Sequence, residues 1–426
     1  MLKPDEKPIR QPLEDNLVLA TAASEEDVER AAAFNGVIHA PEDVSPLTQN
    51  LFLHHPATRG RDLFFIENEE SGEIVSSLCL IPWTWRYGDV EIPVGEMGIV
   101  GTAEAYRGRG LVRAQVRAFK RRLAERGCLV SHIQGIPYFY RQFGYEYALP
   151  LEASIRLELR RVPDSPEPAF TFRRATPADI PALRQLYEEA ARDLTIHAVR
   201  DEDTWRYLQT HADETVTARE RWMIQDAGGQ LAGYVSFQRH PFGEALTVDE
   251  TAPLSFEAAL ATLQHARKLA VEREKPGIRL NLPADATLTR LARSLEAHDE
   301  GSYAWQIHVP DVVALLQALS PVLERRIADS PFAGLTHDIQ LNLYRERIAL
   351  HVEAGRVTQV ARAEPGDSAG DVVLRCPPLP FIPLVLGHRT WRDLKTTYTD
   401  VLVPPLWRLL VDTLFPTVPS FLYTPY

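Results

Sequence analysis

Residues 97–127 read MGIVGTAEAYRGRGLVRAQVRAFKRRLAERG. An apolar stretch from Val94 to Thr102 has the composition of a strand. A basic glycine turn follows, Tyr106-Arg107-Gly108-Arg109-Gly110, and then Leu111, Val112, Val116, Phe119 and Leu123 recur at helical spacing. Glycines let a backbone turn with its N–H groups pointing inward, and those groups plus the start of a helix make an anion site. Arg107 and Arg109 add positive charge, so a pyrophosphate suits the turn. No Gly-Lys-Ser/Thr follows, and the glycine spacing is not that of a dinucleotide fold. The helix cations Arg113, Arg117, Lys120, Arg121, Arg122 and Arg126 are expected on a solvated face rather than on nucleic acid.

Outward from this stretch the chain divides into three. The run VPDSPEP, residues 162–168, carries three prolines and reads as a linker. Near Gln306 a strand, a proline and a helix begin anew in IHVPDVVALLQAL. The expected segments are 1–164, 165–305 and 306–426. The first two open alike: residues 17–35 and 170–188 each give strand, polar cap, acidic first turn and amphipathic helix, which points to an internal duplication. Where a glycine turn should recur, the second has DETAPLSFEAALATLQHARK, acidic and glycine-free. The third reads as a sheet with helices on one face.

The 426 residues carry a formal charge of −12, which argues against a general nucleic-acid binder. Cys79, Cys128 and Cys376 form neither a disulfide framework nor a zinc spacing, and the thirteen histidines show no ligand cluster, so no metal is expected. The opening MLKPDEKPIRQPLEDN lacks the apolar core of a signal peptide. Nowhere do about 18 apolar residues run together, so neither a membrane span nor a membrane partner is expected. The reduced thiols and missing leader give a cytoplasmic expectation. Cys128 reads as a core thiol rather than an acyl carrier. Ser131 and His132 are neighbours in a strand, face opposite sides and make no hydrolase pair.

Strand, then R-x-x-G-x-(G/A), then helix resembles the acetyl-CoA site of the GCN5-related N-acetyltransferases (GNAT). Arg107, Gly110 and Val112 stand at the motif positions; Val112 replaces the usual small residue, and Glu104 stands where the family often has Pro. The segment GIPYFYRQFGYEYAL, residues 135–149, resembles the family's second marker. The resemblance implies acetyl-CoA as co-substrate, with Val100, Gly101 and Thr102 beside its pantetheine arm. Gly108, Arg109, Gly110, Leu111, Val112 and Arg113 would meet its pyrophosphate, Gly135 and Ile136 would line the arm, and Tyr140 would protonate the departing thiolate.

Two GNAT-like units and a sheet domain resemble the Eis (enhanced intracellular survival) family, whose third domain is similar to sterol carrier proteins. That implies an α+β chain of two tandem GNAT-type units, the second degenerate, followed by a sterol-carrier-like domain. It also implies acetylation of a cationic small-molecule amine, aminoglycoside-like or polyamine, by homohexamers with the C-terminal carboxylate as general base. Thr413 to Tyr426 contains no charged side chain and three prolines, so an extended, docked terminus is expected. The base would then be the carboxylate of Tyr426. Pro425 replaces an acidic residue of the family. Two alternatives stand: a protein-lysine acetyltransferase, and an apolar-ligand carrier acting through the third segment.

Overall fold

The computed structural model describes residues 7–164, 169–212, 215–241, 243–363 and 370–426. The expected linker lies outside them from residue 165 to 168, as do residues 1–6 of the N-terminal stretch.

The chain opens with β1 (Arg10–Pro12), β2 (Leu17–Thr21), α1 (Glu25–Ile38), α2 (Ser45–Leu53), β3 (Leu63–Asn68), β4 (Ile74–Tyr87), β5 (Val90–Thr102), α3 (Leu111–Glu125), β6 (Val130–Ile133) and β7 (Glu146–Glu158). A second run holds β8 (Phe170–Arg174), α4 (Ile180–Ala191), β9 (Ile196–Ala198), α5 (Glu202–Thr210), β10 (Arg219–Asp226), β11 (Leu231–Gln238), β12 (Leu246–Thr251), α6 (Phe256–Glu272), β13 (Gly277–Leu280), α7 (Thr287–Ser294) and β14 (His298–His308). The third run holds α8 (Val312–Ala318), α9 (Ser320–Ala328), β15 (His337–Asn342), β16 (Arg347–Glu353), β17 (Arg356–Arg362), β18 (Asp371–Arg375), α10 (Pro378–Val385), α11 (Trp391–Thr397) and α12 (Arg408–Leu414). The class is α+β.

One sheet joins the first two runs, in the order β1-β2-β3-β4-β5-β6-β14-β7-β13-β12-β11-β10-β8, with β9 added beside β4. The runs trade their last strands: β14 lies between β6 and β7, and β7 between β14 and β13. On each side of this centre one pair is parallel, β6 with β5 and β13 with β12. The expected cut at 305/306 falls inside β14, whose Gln306 pairs with Ile133 on one side and Tyr147 on the other. The third run forms a separate sheet, β17-β16-β15-β18. It packs on the first run where Tyr87 Oη donates to the Val385 carbonyl at 2.9 Å.

Local causes are visible in α1 and α3. Ser24 and Asp27 close a capping box on α1. In α3, Leu111, Val116, Phe119 and Leu123 are buried against β3, β4 and β5, at about 2 kcal/mol each. The expected solvated cationic face of this helix is corrected at Arg122, which is buried and donates from Nε to Asp62 Oδ1 at 2.8 Å. Arg126 Nε reaches the same oxygen at 2.9 Å. Lys120 is half-buried and donates to the Phe143 carbonyl at 2.7 Å. A long cationic side chain can bury its stem when a carboxylate or carbonyl meets its head.

Candidate active site

β5 and β6 run in parallel register through Val94–Val130, Gly95–Ser131 and Glu96–His132, and the pairing stops there. β5 continues to Thr102 against β4 alone, which splays the two strands apart. Opposite Leu78 of β4 stand two residues of β5, Ile99 and Val100, because the register jumps from Cys79–Gly98 to Ser77–Gly101. This is a β-bulge, and Ile99 sits at φ +48°, a left-handed conformation that a β-branched residue adopts only at a cost of about 1–3 kcal/mol. The bulge turns the backbone of Ile99 and Val100 out of the ladder at the splay.

Beyond β5, Gly108 and Gly110 are both left-handed, at φ +78° and +76°, and nothing lies within 4 Å of a methyl group built on either. Their conformation demands glycine, and the space above them is open. Gly110 starts α3 without any side-chain cap, so the helix's first N–H groups are offered to a ligand. In the second run, Ser255 caps α6, its Oγ accepting from Ala258 N at 3.1 Å. That helix start is already occupied by protein.

Arg109 is exposed, 3.8 Å from Asp15 and stacked over the Tyr106 ring. Arg113 donates to Gln142 Oε1 at 3.3 Å, Leu111 is buried, and Val112 is half-buried. Thr102 Oγ1 bonds Ser76 Oγ at 2.8 Å, and that hydroxyl also reaches Gln115 of α3 at 2.8 Å. At Gly101 the close neighbour is Ile38 of α1: a methyl group there would lie 2.6 Å from its Cγ2.

A cavity of about 1070 Å³ opens from the splay. Val100, Gly135, Ile136, Tyr140 and Tyr426 all line it, so five of the expected site residues share one space although the last two are separated by most of the chain. The glycine turn lies outside this lining, at the start of α3. Tyr140 is buried with its ring against Phe139 and Tyr145. Burial pushes its phenol up to about 12. Ser131 bonds the Tyr145 hydroxyl at 2.8 Å while His132 faces the other way, into Trp83, Trp85 and Trp305.

The C-terminal segment is docked as its composition required, and after α12 it makes one isolated bridge, Ser420 with Ile196. Arg200 Nη2 donates to the Thr424 carbonyl at 2.6 Å, and Arg219 Nη2 to Thr424 Oγ1 at 2.5 Å. Arg219 Nη1 reaches the Tyr426 main-chain oxygen at 3.2 Å, while its Nε holds Asp249 Oδ2 at 2.6 Å. On the other side the Tyr426 phenol donates to Glu96 Oε1 at 2.9 Å, and Trp83 Nε1 donates to Oε2 at 2.9 Å. Burial raises the Glu96 carboxyl to about 8 against these two hydrogen bonds, which favour its ionised form.

Sequence reasoning missed Glu96, Arg200 and Arg219. Glu96 had a signal: it is the single acid in the apolar strand PVGEMGIV, and a charge in a buried strand needs a partner. The arginines had none.

A splayed parallel strand pair with a bulge leads into a glycine turn that opens an uncapped helix, an arrangement suited to an anionic ligand. Residues 23–148 match the acetyltransferase (GNAT) domain family, and the chain is an acyltransferase carrying a GNAT domain. Its fold is similar to that of a GCN5-related N-acetyltransferase from Anabaena variabilis, with TM-score 0.70, 17% identity, and 95% of this chain and 99% of that one covered. Eis1 from Mycobacterium abscessus is similar at TM-score 0.63 and 19% identity, over 96% of this chain and 100% of that one. A GCN5-related N-acetyltransferase from Kribbella flavida gives 0.65 and 19%, over 95% and 97%. No curated protein sequence matches significantly.

Proposed function

We propose that the chain is an acetyl-CoA-dependent N-acetyltransferase of Eis type that acetylates an amine of a cationic small molecule, aminoglycoside-like or polyamine, by direct transfer. The observation that carries the reading is that Tyr140, Tyr426 and the bulged β5 strand border one cavity. The open, uncapped start of α3 suits the pyrophosphate of acetyl-CoA. Glu42 and Asp43, after α1, line the same cavity and would attract an ammonium.

A primary ammonium has a pKa near 10.4, so at pH 7 only about one molecule in 2,500 is nucleophilic, a deficit of roughly 4.6 kcal/mol. The terminal carboxylate of Tyr426 takes the ammonium proton, directly or through one water. The nitrogen lone pair then attacks the thioester carbonyl carbon, and a C–N bond forms. Negative charge gathers on the carbonyl oxygen, where an N–H of the bulged Ile99–Val100 backbone stabilises it. The C–S bond breaks and the sulfur receives the Tyr140 proton; the nitrogen gives up its second proton to the resulting phenolate, directly or through water, and CoA and the acetamide leave.

Residues 165–305 are read as a degenerate acetyltransferase-like unit, supported by the capped α6 start. Residues 306–426 are read as a sterol-carrier-like domain that serves as scaffold and delivers the C-terminus. The Eis resemblance extends the reading to hexamers in the cytoplasm. The test is CoA release from acetyl-CoA against aminoglycosides, polyamines and lysine peptides. Gly110→Glu should abolish acetyl-CoA binding through left-handed strain and charge repulsion; unchanged binding would sink the reading. Release with lysine peptides alone would select the protein-lysine alternative.

A further inference from the structure

We infer that Tyr303 and Gln306, on β14 of the second run, are positioning residues for the Gly135–Ile136 loop that receives the acyl-CoA arm, an inference that rests on the functional reading above. Tyr303 Oη donates to the Gly135 carbonyl at 2.7 Å. Gln306 Nε2 donates to the same carbonyl at 2.8 Å and to that of Ile136 at 3.2 Å. Because both neighbours of this amide are acceptors, its nitrogen must be the atom that faces them.

Two donors saturate the Gly135 oxygen and fix the plane of its peptide. In a trans peptide the following N–H points opposite to the C=O. Holding the Gly135 carbonyl toward β14 therefore aims the Ile136 N–H away from β14. That N–H has no acceptor among the described residues, which leaves it for an amide carbonyl of the incoming arm. Gly135 and Ile136 line the cavity, as does Trp305 between the two β14 residues.

The same contact reaches the proton donor. Gly135 is sandwiched: a methyl group on it would run into the Tyr140 ring and lie 3.1 Å from Gln306 Nε2. The Gln306 amide, the glycine and the phenol ring thus form three layers in contact. Gln306 is itself immobile, being fully buried and paired with strands of the first run on both sides. A rigid element supporting a loop is what holds a site to a fraction of an ångström.

The experiment measures acetyl-CoA dissociation constants by calorimetry on the full chain, with steady-state kinetics in parallel, for wild type, Gln306→Met, Gln306→Glu and Tyr303→Phe. Methionine keeps the volume and loses the donor, and glutamate turns an anion toward two carbonyls. A lost hydrogen bond predicts about 3–10-fold weaker acetyl-CoA binding, larger for Gln306→Glu than for Gln306→Met, with the amine KM unchanged. A purely structural role would lower the active fraction and leave the dissociation constant alone. Should Gln306→Met fail to fold, the half-buried Tyr303→Phe decides. Wild type that binds acetyl-CoA, with variants that bind it equally tightly, overturns the inference alone. Wild type that does not bind acetyl-CoA overturns the functional reading and this inference with it.

Discussion

The phenol of Tyr426, the last residue, donates a 2.9 Å hydrogen bond to Glu96 on the strand that leads into the glycine turn. The two residues are 330 positions apart. With Arg219 gripping the Tyr426 main-chain oxygen from β10, the terminus is held from both runs of the large sheet at once.

Removing Pro425 and Tyr426 should therefore lower kcat by about 10²–10⁴-fold, the usual contribution of a positioned base. Tyr426→Phe keeps the terminal carboxylate and loses only the bond to Glu96, so a fall of about 3–10-fold is expected. Steady-state assays of both proteins check this. A truncated chain that turns over like wild type would remove the terminal base.

Tyr140→Phe should reduce kcat by about 10²–10⁴-fold with little change in either KM. Burial holds this phenol protonated up to about 12. The wild-type rate should accordingly rise with amine deprotonation and show no alkaline loss attributable to Tyr140 below pH 10. A falling limb near pH 9, absent in the phenylalanine variant, would contradict the assignment.

Glu96 makes the fold pH-sensitive, and the sign follows from its raised pKa. Between the unfolded value of 4.5 and about 8 the folded chain keeps a proton that the unfolded chain releases. Stability thus falls as pH rises through that window, by an amount on the order of a few kcal/mol. Glu96→Gln should flatten the dependence and be relatively more stable at pH 8. Urea denaturation at pH 5.5 and 8 measures it, and parallel losses in both proteins would refute it.

Asp62 is buried and serves both Arg122 and Arg126. Asp62→Asn leaves two guanidinium groups short of their counter-charge and should cost about 3–5 kcal/mol. Denaturant midpoints read this directly; a loss under 1 kcal/mol would mean that water replaces the carboxylate.

What the sequence determined is what depends on neighbours along the chain. The strand, the glycine turn of Gly108 and Gly110 and the amphipathic α3 were all legible, because backbone conformation and helical periodicity are local. An uncharged, proline-bearing tail likewise announced a docked terminus. Glu96 was half-legible, as a charge out of place. Only the tertiary structure decided that Arg122 is buried, since its partner Asp62 lies on a distant turn. It also decided that β7 and β14 change places, that Arg219 and Glu96 grip Tyr426, and that Gln306 supports Gly135. Those contacts join residues 60 to more than 300 positions apart, and they form because a buried polar or charged group must take its partner from whatever the folded chain brings alongside. No pattern within either segment encodes which residue that is.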